Sequence, residues 1–124
     1  MIKVNRVYNS DKITNKISDN LKASEMRYLT FDFDILFLED DVENAKVYFD
    51  VYYPDGSMKR SSNYNPLGHT GSYEFVGIDN AVGKINGVVG WGNSKESTYP
   101  AGTYCVDFIY KNVIIHSQKV IITK

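Results

Sequence analysis

Residues 28–37 alternate with a period of two. Leu29, Phe31, Phe33, Ile35 and Phe37 fall on one side, and Tyr28, Thr30, Asp32 and Asp34 on the other. Successive side chains of a β-strand point to opposite faces, so the run predicts a long strand with one face buried and the other polar. The pattern then repeats. Ala45, Val47, Phe49, Val51 and Tyr53 share one side, against Lys46, Tyr48, Asp50 and Tyr52. The charged run Glu39–Asp41 separates the two strands.

The rest of the chain reads as more strands divided by turns. Residues 2–8 alternate weakly and predict a short first strand. Residues 9–25 are polar, with Ile13, Ile17 and Leu21 at helical spacing. Their Asn, Ser and Thr content favours a long loop or one helical turn. Pro54-Asp55-Gly56 is a turn in which Pro presets φ and Gly supplies positive φ. Ser57–Ser62 reads as a polar edge strand, 63–71 as loop, and Ser72–Ile78 as a short strand carrying Tyr73 and Phe75. Asp79-Asn80 turns the chain into an apolar, glycine-rich run ending at Trp91. Tyr104, Val106, Phe108 and Tyr110 alternate with Thr103, Cys105, Asp107 and Ile109. Lys111-Asn112 is a two-residue hairpin turn, since Asn tolerates positive φ. Alternation in the last strand, Val113–Thr123, is blurred, which predicts a bulge or burial on both faces. Together these give about seven or eight strands with frequent turns, the pattern of an all-β antiparallel β-sandwich. The 124 residues suit one domain, 1–124, with 9–25 as its loop or helical turn.

Composition narrows the function classes. Net charge is −1, without the basic excess expected of a nucleic-acid binder. No apolar run reaches the roughly 18 residues of a membrane span. Cys105 stands alone, so neither an internal disulfide nor a multi-cysteine metal site is expected. With no signal-like N-terminal segment, the expectation is a cytoplasmic protein without cofactor.

The run Pro100-Ala101-Gly102-Thr103-Tyr104-Cys105-Val106 resembles the start of the penultimate strand of immunoglobulin-like sandwiches. There a Tyr hydrogen-bonds back to the backbone as a corner. The resemblance implies that role for Tyr104. Antibody-type domains carry a disulfide cysteine two residues later, where this chain has Val106, and Trp91 sits too close upstream to be their core Trp. The resemblance is thus to immunoglobulin-like architecture. The final forty residues are also similar to accessory β-modules of uncharacterised bacterial proteins, which implies no chemistry.

Candidate functional residues follow from what breaks the alternation. Tyr28, Tyr48 and Tyr52 lie on the polar sides of the two best strands, and adjacent strands would align them in a row. Such a row suits a protein interface or sugar stacking, and equally cross-strand pairing that stiffens the sheet. Trp91, between Gly90 and Gly92, is either an exposed anchor or core. For catalysis the available residues are Cys105, His116 and His69, with a Cys105–His116 dyad conceivable in the terminal hairpin and no Gly-x-Ser-x-Gly elbow. Asp32, Asp34 and the Glu39–Asp41 run include no calcium-loop motif. The expectation is a non-catalytic protein-interaction or structural module acting through a sheet face or an edge strand, with a protein partner or a second copy. The alternatives are a carbohydrate-binding module and a small Cys/His enzyme.

Overall fold

The computed structural model describes residues 2–11, 15–37, 46–59, 68–74, 83–92 and 99–124. The expected Glu39–Asp41 and Asp79-Asn80 turns and Phe75 lie outside these residues. Nine strands are described: β1 (Ile2–Asp11), β2 (Lys16–Ser18), β3 (Tyr28–Phe37), β4 (Lys46–Tyr52), β5 (Met58–Lys59), β6 (Gly71–Glu74), β7 (Gly83–Gly92), β8 (Gly102–Tyr110) and β9 (Val113–Ile122). One 3-10 turn, Ala23–Glu25, precedes β3.

The strands form two sheets. The first has the order β2-β1-β3-β7. The second runs β5-β4-β8-β9, with β6 also on β4. Because β5 pairs with Val51–Tyr52 and β6 with Lys46–Phe49, the two short strands share one edge of β4 end to end. All strand pairings are antiparallel. Among the described residues one parallel bridge joins Lys22 to Thr123.

The predicted apolar sides meet between the sheets. Leu29, Phe31, Phe33 and Ile35 of β3 are buried, as are Val47, Phe49 and Val51 of β4 and Tyr104, Val106 and Phe108 of β8. Phe31 meets Phe108 edge-to-face at 5.5 Å, and Phe33 meets Tyr73 in the same way at 5.4 Å. Burying each such side chain contributes about 1.5–3 kcal/mol. At one end of the core Tyr53, Tyr99, Tyr104 and Trp91 form an aromatic cluster with centroid separations of 5.2–5.9 Å.

Glycine is required by this packing at positions that include Gly87 and Gly102. A Cβ on Gly87 would lie 2.9 Å from Cζ of Phe33 and 3.0 Å from Cζ of Tyr73. Gly102 adopts φ +146°, and a Cβ there would lie 2.5 Å from Cγ of Pro54, so the Pro54 turn seats directly on it.

The terminal hairpin turns at Lys111-Asn112, both with positive φ (49° and 64°). Twist-matched two-residue hairpins need that conformation at both positions. The register shifts between Phe108 and Ile109, where Ile115 is the extra residue, so the blurred alternation of the last strand reflects a bulge. The 9–25 segment differs from the expected loop. β1 continues to Asp11 and forms a hairpin with β2 before the 3-10 turn. Asn9 allows this because its side chain is held by the backbone. Its Nδ2 donates to the Glu25 carbonyl (2.8 Å) and its Oδ1 accepts from the Arg27 N–H (2.8 Å), so a polar residue is buried without loss.

Candidate functional site

The outer face of the second sheet carries a connected set of polar and aromatic groups. Its geometry follows from the β4–β8–β9 register. Tyr48 lies beside Ile109, Asp50 beside Asp107, and Tyr52 beside Cys105. Asp107 is flanked in turn by Ser117, and Cys105 by Lys119. The face therefore has a central row Asp50–Asp107–Ser117 between rows led by the two tyrosines.

Asp50 is buried despite pointing outward, because residues 68–70 fold over it. Nδ1 of His69 lies 2.9 Å from Oδ1 of Asp50. A carboxylate only accepts, so Nδ1 carries the proton. The Thr70 N–H also donates to Oδ1 (3.3 Å). The imidazole of His69 stacks on the Tyr48 ring, with centroids 4.4 Å apart and planes 23° from parallel. Thr70, fully buried, joins the edge where β5 and β6 leave a gap. Its hydroxyl accepts from the Val51 N–H (2.9 Å), and its own N–H donates to the Phe49 carbonyl (3.1 Å).

Asp107 is held from the other side. Its Oδ1 accepts from Oγ of Ser117 (2.7 Å) and lies 3.6 Å from Sγ of Cys105. Burial, followed by the charge and hydrogen bond of Asp107, raises the Cys105 thiol above its ordinary pKa. That favours the protonated, unreactive form.

The four aromatic candidates do not come together. Tyr48 and Tyr52 share the face just described, but Tyr28 lies in β3, in the other sheet. There it stands on the opposite outer surface, beside Ser10 and Gly92. The expected three-tyrosine row is therefore corrected to a pair, because β3 and β4, adjacent in sequence, belong to different layers. One face of Tyr48 is covered by His69. Trp91 is no exposed anchor: it is half-buried, packs against the core and meets Tyr99 edge-to-face at 5.9 Å. The Tyr99 hydroxyl donates to the Trp91 carbonyl.

The catalytic candidates are likewise separated. Cys105 is on the outer face, paired with Lys119, whereas His116 is paired with Phe108 on the inner side. His116 Nε2 lies 3.1 Å from Gln118 Oε1. Asp32 and Asp34 stand opposite Arg6 and Lys3 on the first sheet, and Nδ2 of Asn86 reaches both carboxylates (2.7 and 3.1 Å). Their charge is thus offset by neighbours. Among the described residues no group of three or more His, Cys, Asp or Glu side chains is placed to hold a metal ion. A cleft of about 300 Å³ beside β2 is lined by mixed charges, with Arg27 Nε 3.2 Å from Asp11 Oδ2.

Sequence reasoning missed the Asp50–His69–Tyr48 cluster. Its one local sign was an acidic residue between two tyrosines on the polar side of a strand. The corner implied for Tyr104 is present: its hydroxyl donates to the Pro100 carbonyl four residues upstream.

The described residues define a two-sheet, all-β sandwich-like domain whose outer faces are polar and aromatic. No protein-family model matches the chain, and no curated protein matches it in sequence.

Proposed function

We propose that this chain is a non-catalytic interaction module of immunoglobulin-like architecture that recognises a protein through an edge strand. The observation that carries this reading is the state of its edges. Each sheet ends in a ten-residue strand, β7 in one and β9 in the other, with no further described strand beyond it. Long edges offer backbone donors and acceptors to an added strand. The immunoglobulin-like part of the reading is supported by the corner bond of Tyr104 and by the placement of β8 between β4 and β9.

The carbohydrate reading loses its aromatic row, since Tyr28, Tyr48 and Trp91 are respectively remote, capped and packed against the core. The Cys/His reading has a deactivated thiol and a histidine on the other side of the hairpin. The test is a tagged pull-down from lysate of the encoding organism, with two variants as controls. A partner retained by Tyr48→Ala/Tyr52→Ala and lost with the β9 variant Lys119→Pro places recognition at the edge. Loss with the tyrosine pair instead places it on the face, and recovery of no specific partner removes the reading.

A further inference from the structure

We infer that β9 is a self-pairing edge, and that a second copy of this chain adds to it antiparallel, joining two second sheets into one. The inference deepens the interaction reading and rests on it.

The backbone of β9 is presented for pairing. The Thr123 N–H donates to the Leu21 carbonyl (2.9 Å), and the Thr123 carbonyl accepts from the Ala23 N–H (2.7 Å). Both groups of Thr123 thus point away from β8. In an antiparallel ladder the direction alternates by residue. The register from Ile122 to His116 is unbroken, so Ile121, Lys119 and Ser117 also turn their N–H and carbonyl groups outward. The 21–23 segment caps Thr123, and among the described residues no strand pairs with the positions before it.

The side chains on this strand are unusual for a solvent-facing edge. Val113 is 61% exposed, Ile114 57% and Ile121 58%, three of the six exposed large hydrophobics among the described residues. They sit at the two ends of the strand, with His116, Ser117, Gln118 and Lys119 between them. The strand therefore reads apolar–polar–apolar in either direction. This symmetry names the occupant. A closed dimer needs a two-fold axis, and a two-fold axis placed at Gln118 runs the second copy antiparallel. Ile114 pairs with Ile109 and Ile121 with Thr103, so both project from the outer face. The axis stands perpendicular to the sheet and keeps the outer faces continuous. Because Ile115 is the extra residue, Ile114 and Ile121 stand three ladder positions either side of Gln118, so the axis sets Ile114 of one copy beside Ile121 of the other, twice. Lys119 is the only charged side chain on β9, and in this register it stands beside Ser117 of its mate rather than the mate's Lys119. One strand pair buries less than a standard interface of about 1,600 Å², so the association is reversible with dilution.

Sedimentation velocity over a concentration series tests this. Wild type is expected to pass from monomer to dimer as concentration rises. Ile114→Glu and Ile121→Lys alter exposed side chains, and circular dichroism verifies that each variant is folded. Each variant alone is expected to stay monomeric where wild type dimerises. Their equimolar mixture is expected to dimerise again. In the mixed pair the new carboxylate faces the new ammonium, and the second Ile114–Ile121 contact is intact. A wild type that remains monomeric throughout overturns the inference. So does a dimer indifferent to both substitutions, or a mixture that fails to recover. These results bear on self-pairing alone, whereas the interaction reading itself falls only on an empty pull-down.

Discussion

Asp50 of β4 stands directly opposite Asp107 of β8 on the outer face of the second sheet. Like charges placed opposite one another weaken a sheet by roughly 0.2–1 kcal/mol. Each carboxylate has its own donors, His69 and Thr70 for Asp50, and Ser117 for Asp107. The two are unequal. Asp50 is 6% exposed and anchors the segment that covers it, while Asp107 is half-buried on the open sheet. Asp50→Ala leaves the His69 donor without its carboxylate and should cost about 1–3 kcal/mol in urea denaturation. Asp107→Asn keeps an acceptor for Ser117 and removes the like charge, so its effect should stay within about 0.5 kcal/mol. The reverse order would mean that repulsion, not anchoring, dominates the row.

The aromatic end of the core sets an alkaline limit. Burial pushes the Tyr53 hydroxyl up to about 12 and raises Tyr99 and Tyr104 as well. An unfolded tyrosine titrates near pH 10. Below that pH both states are neutral and the stability is fully present. As pH rises beyond it, the unfolded chain releases protons that the folded one holds, and stability is lost through the folded values. Phenolate absorbance should therefore show these tyrosines ionising only with unfolding. Tyr99→Phe should make the loss of stability above about pH 10 shallower.

Removal of the Tyr104 hydroxyl isolates the corner. Tyr104→Phe keeps the ring contacts with Tyr53 and Tyr99 but leaves the Pro100 carbonyl without this donor. The expected cost is about 1–2 kcal/mol by thermal or chemical denaturation. A neutral result would show that the corner bond adds nothing to the packing of the ring.

The two glycine positions should differ in degree. At Gly87 a methyl meets only the far ends of two rings, so Gly87→Ala should cost about 1–3 kcal/mol as overpacking. Gly102→Ala meets a proline ring at closer range and also sits at φ +146°, which side chains rarely adopt. It should be the more damaging of the two, read as the larger fall in melting temperature.

Cys105 should react slowly with disulfide reagents at neutral pH, because its thiol is raised by burial and by Asp107. Asp107→Asn removes the charge while leaving the strand in place, so thiol modification should speed up. An unchanged rate would assign the slow reaction to burial alone.

How much of this was legible in the sequence follows from the kind of information involved. Alternation from Tyr28 to Phe37 and from Ala45 to Tyr53 marked which side of each strand is buried, because a strand's side chains strictly alternate. It carried no record of which sheet each strand joins. For that reason Tyr28 seemed to align with Tyr48 and Tyr52. The end of β1 was invisible for another reason. Asn9, Ser10 and Asp11 look like loop by composition, and they are held in the ladder by backbone pairing to β2, by that of Asn9 and Ser10 to β3, and by the Asn9 side chain. Trp91 carried two conflicting signals, its spacing from Ile85 and Val89 and its flanking glycines, and the spacing prevailed. The Asp50–His69 pair spans 19 residues across a turn-rich segment, so no local pattern announces it.

The bonds between Thr123 and the Leu21–Ala23 segment have a consequence in time as well as in space. They tie together positions about a hundred residues apart, and contacts so distant along the chain form slowly because the intervening polypeptide must first be ordered. A growing polypeptide can build the β1–β3 ladder early, but it cannot fasten its two layers here until residue 123 has been synthesised. Until residues 113–122 emerge, β8 lacks β9 and is itself a bare edge. The order of synthesis therefore leaves the growing chain most adhesive between the emergence of β8 and that of β9, when a chaperone would have the most to shield.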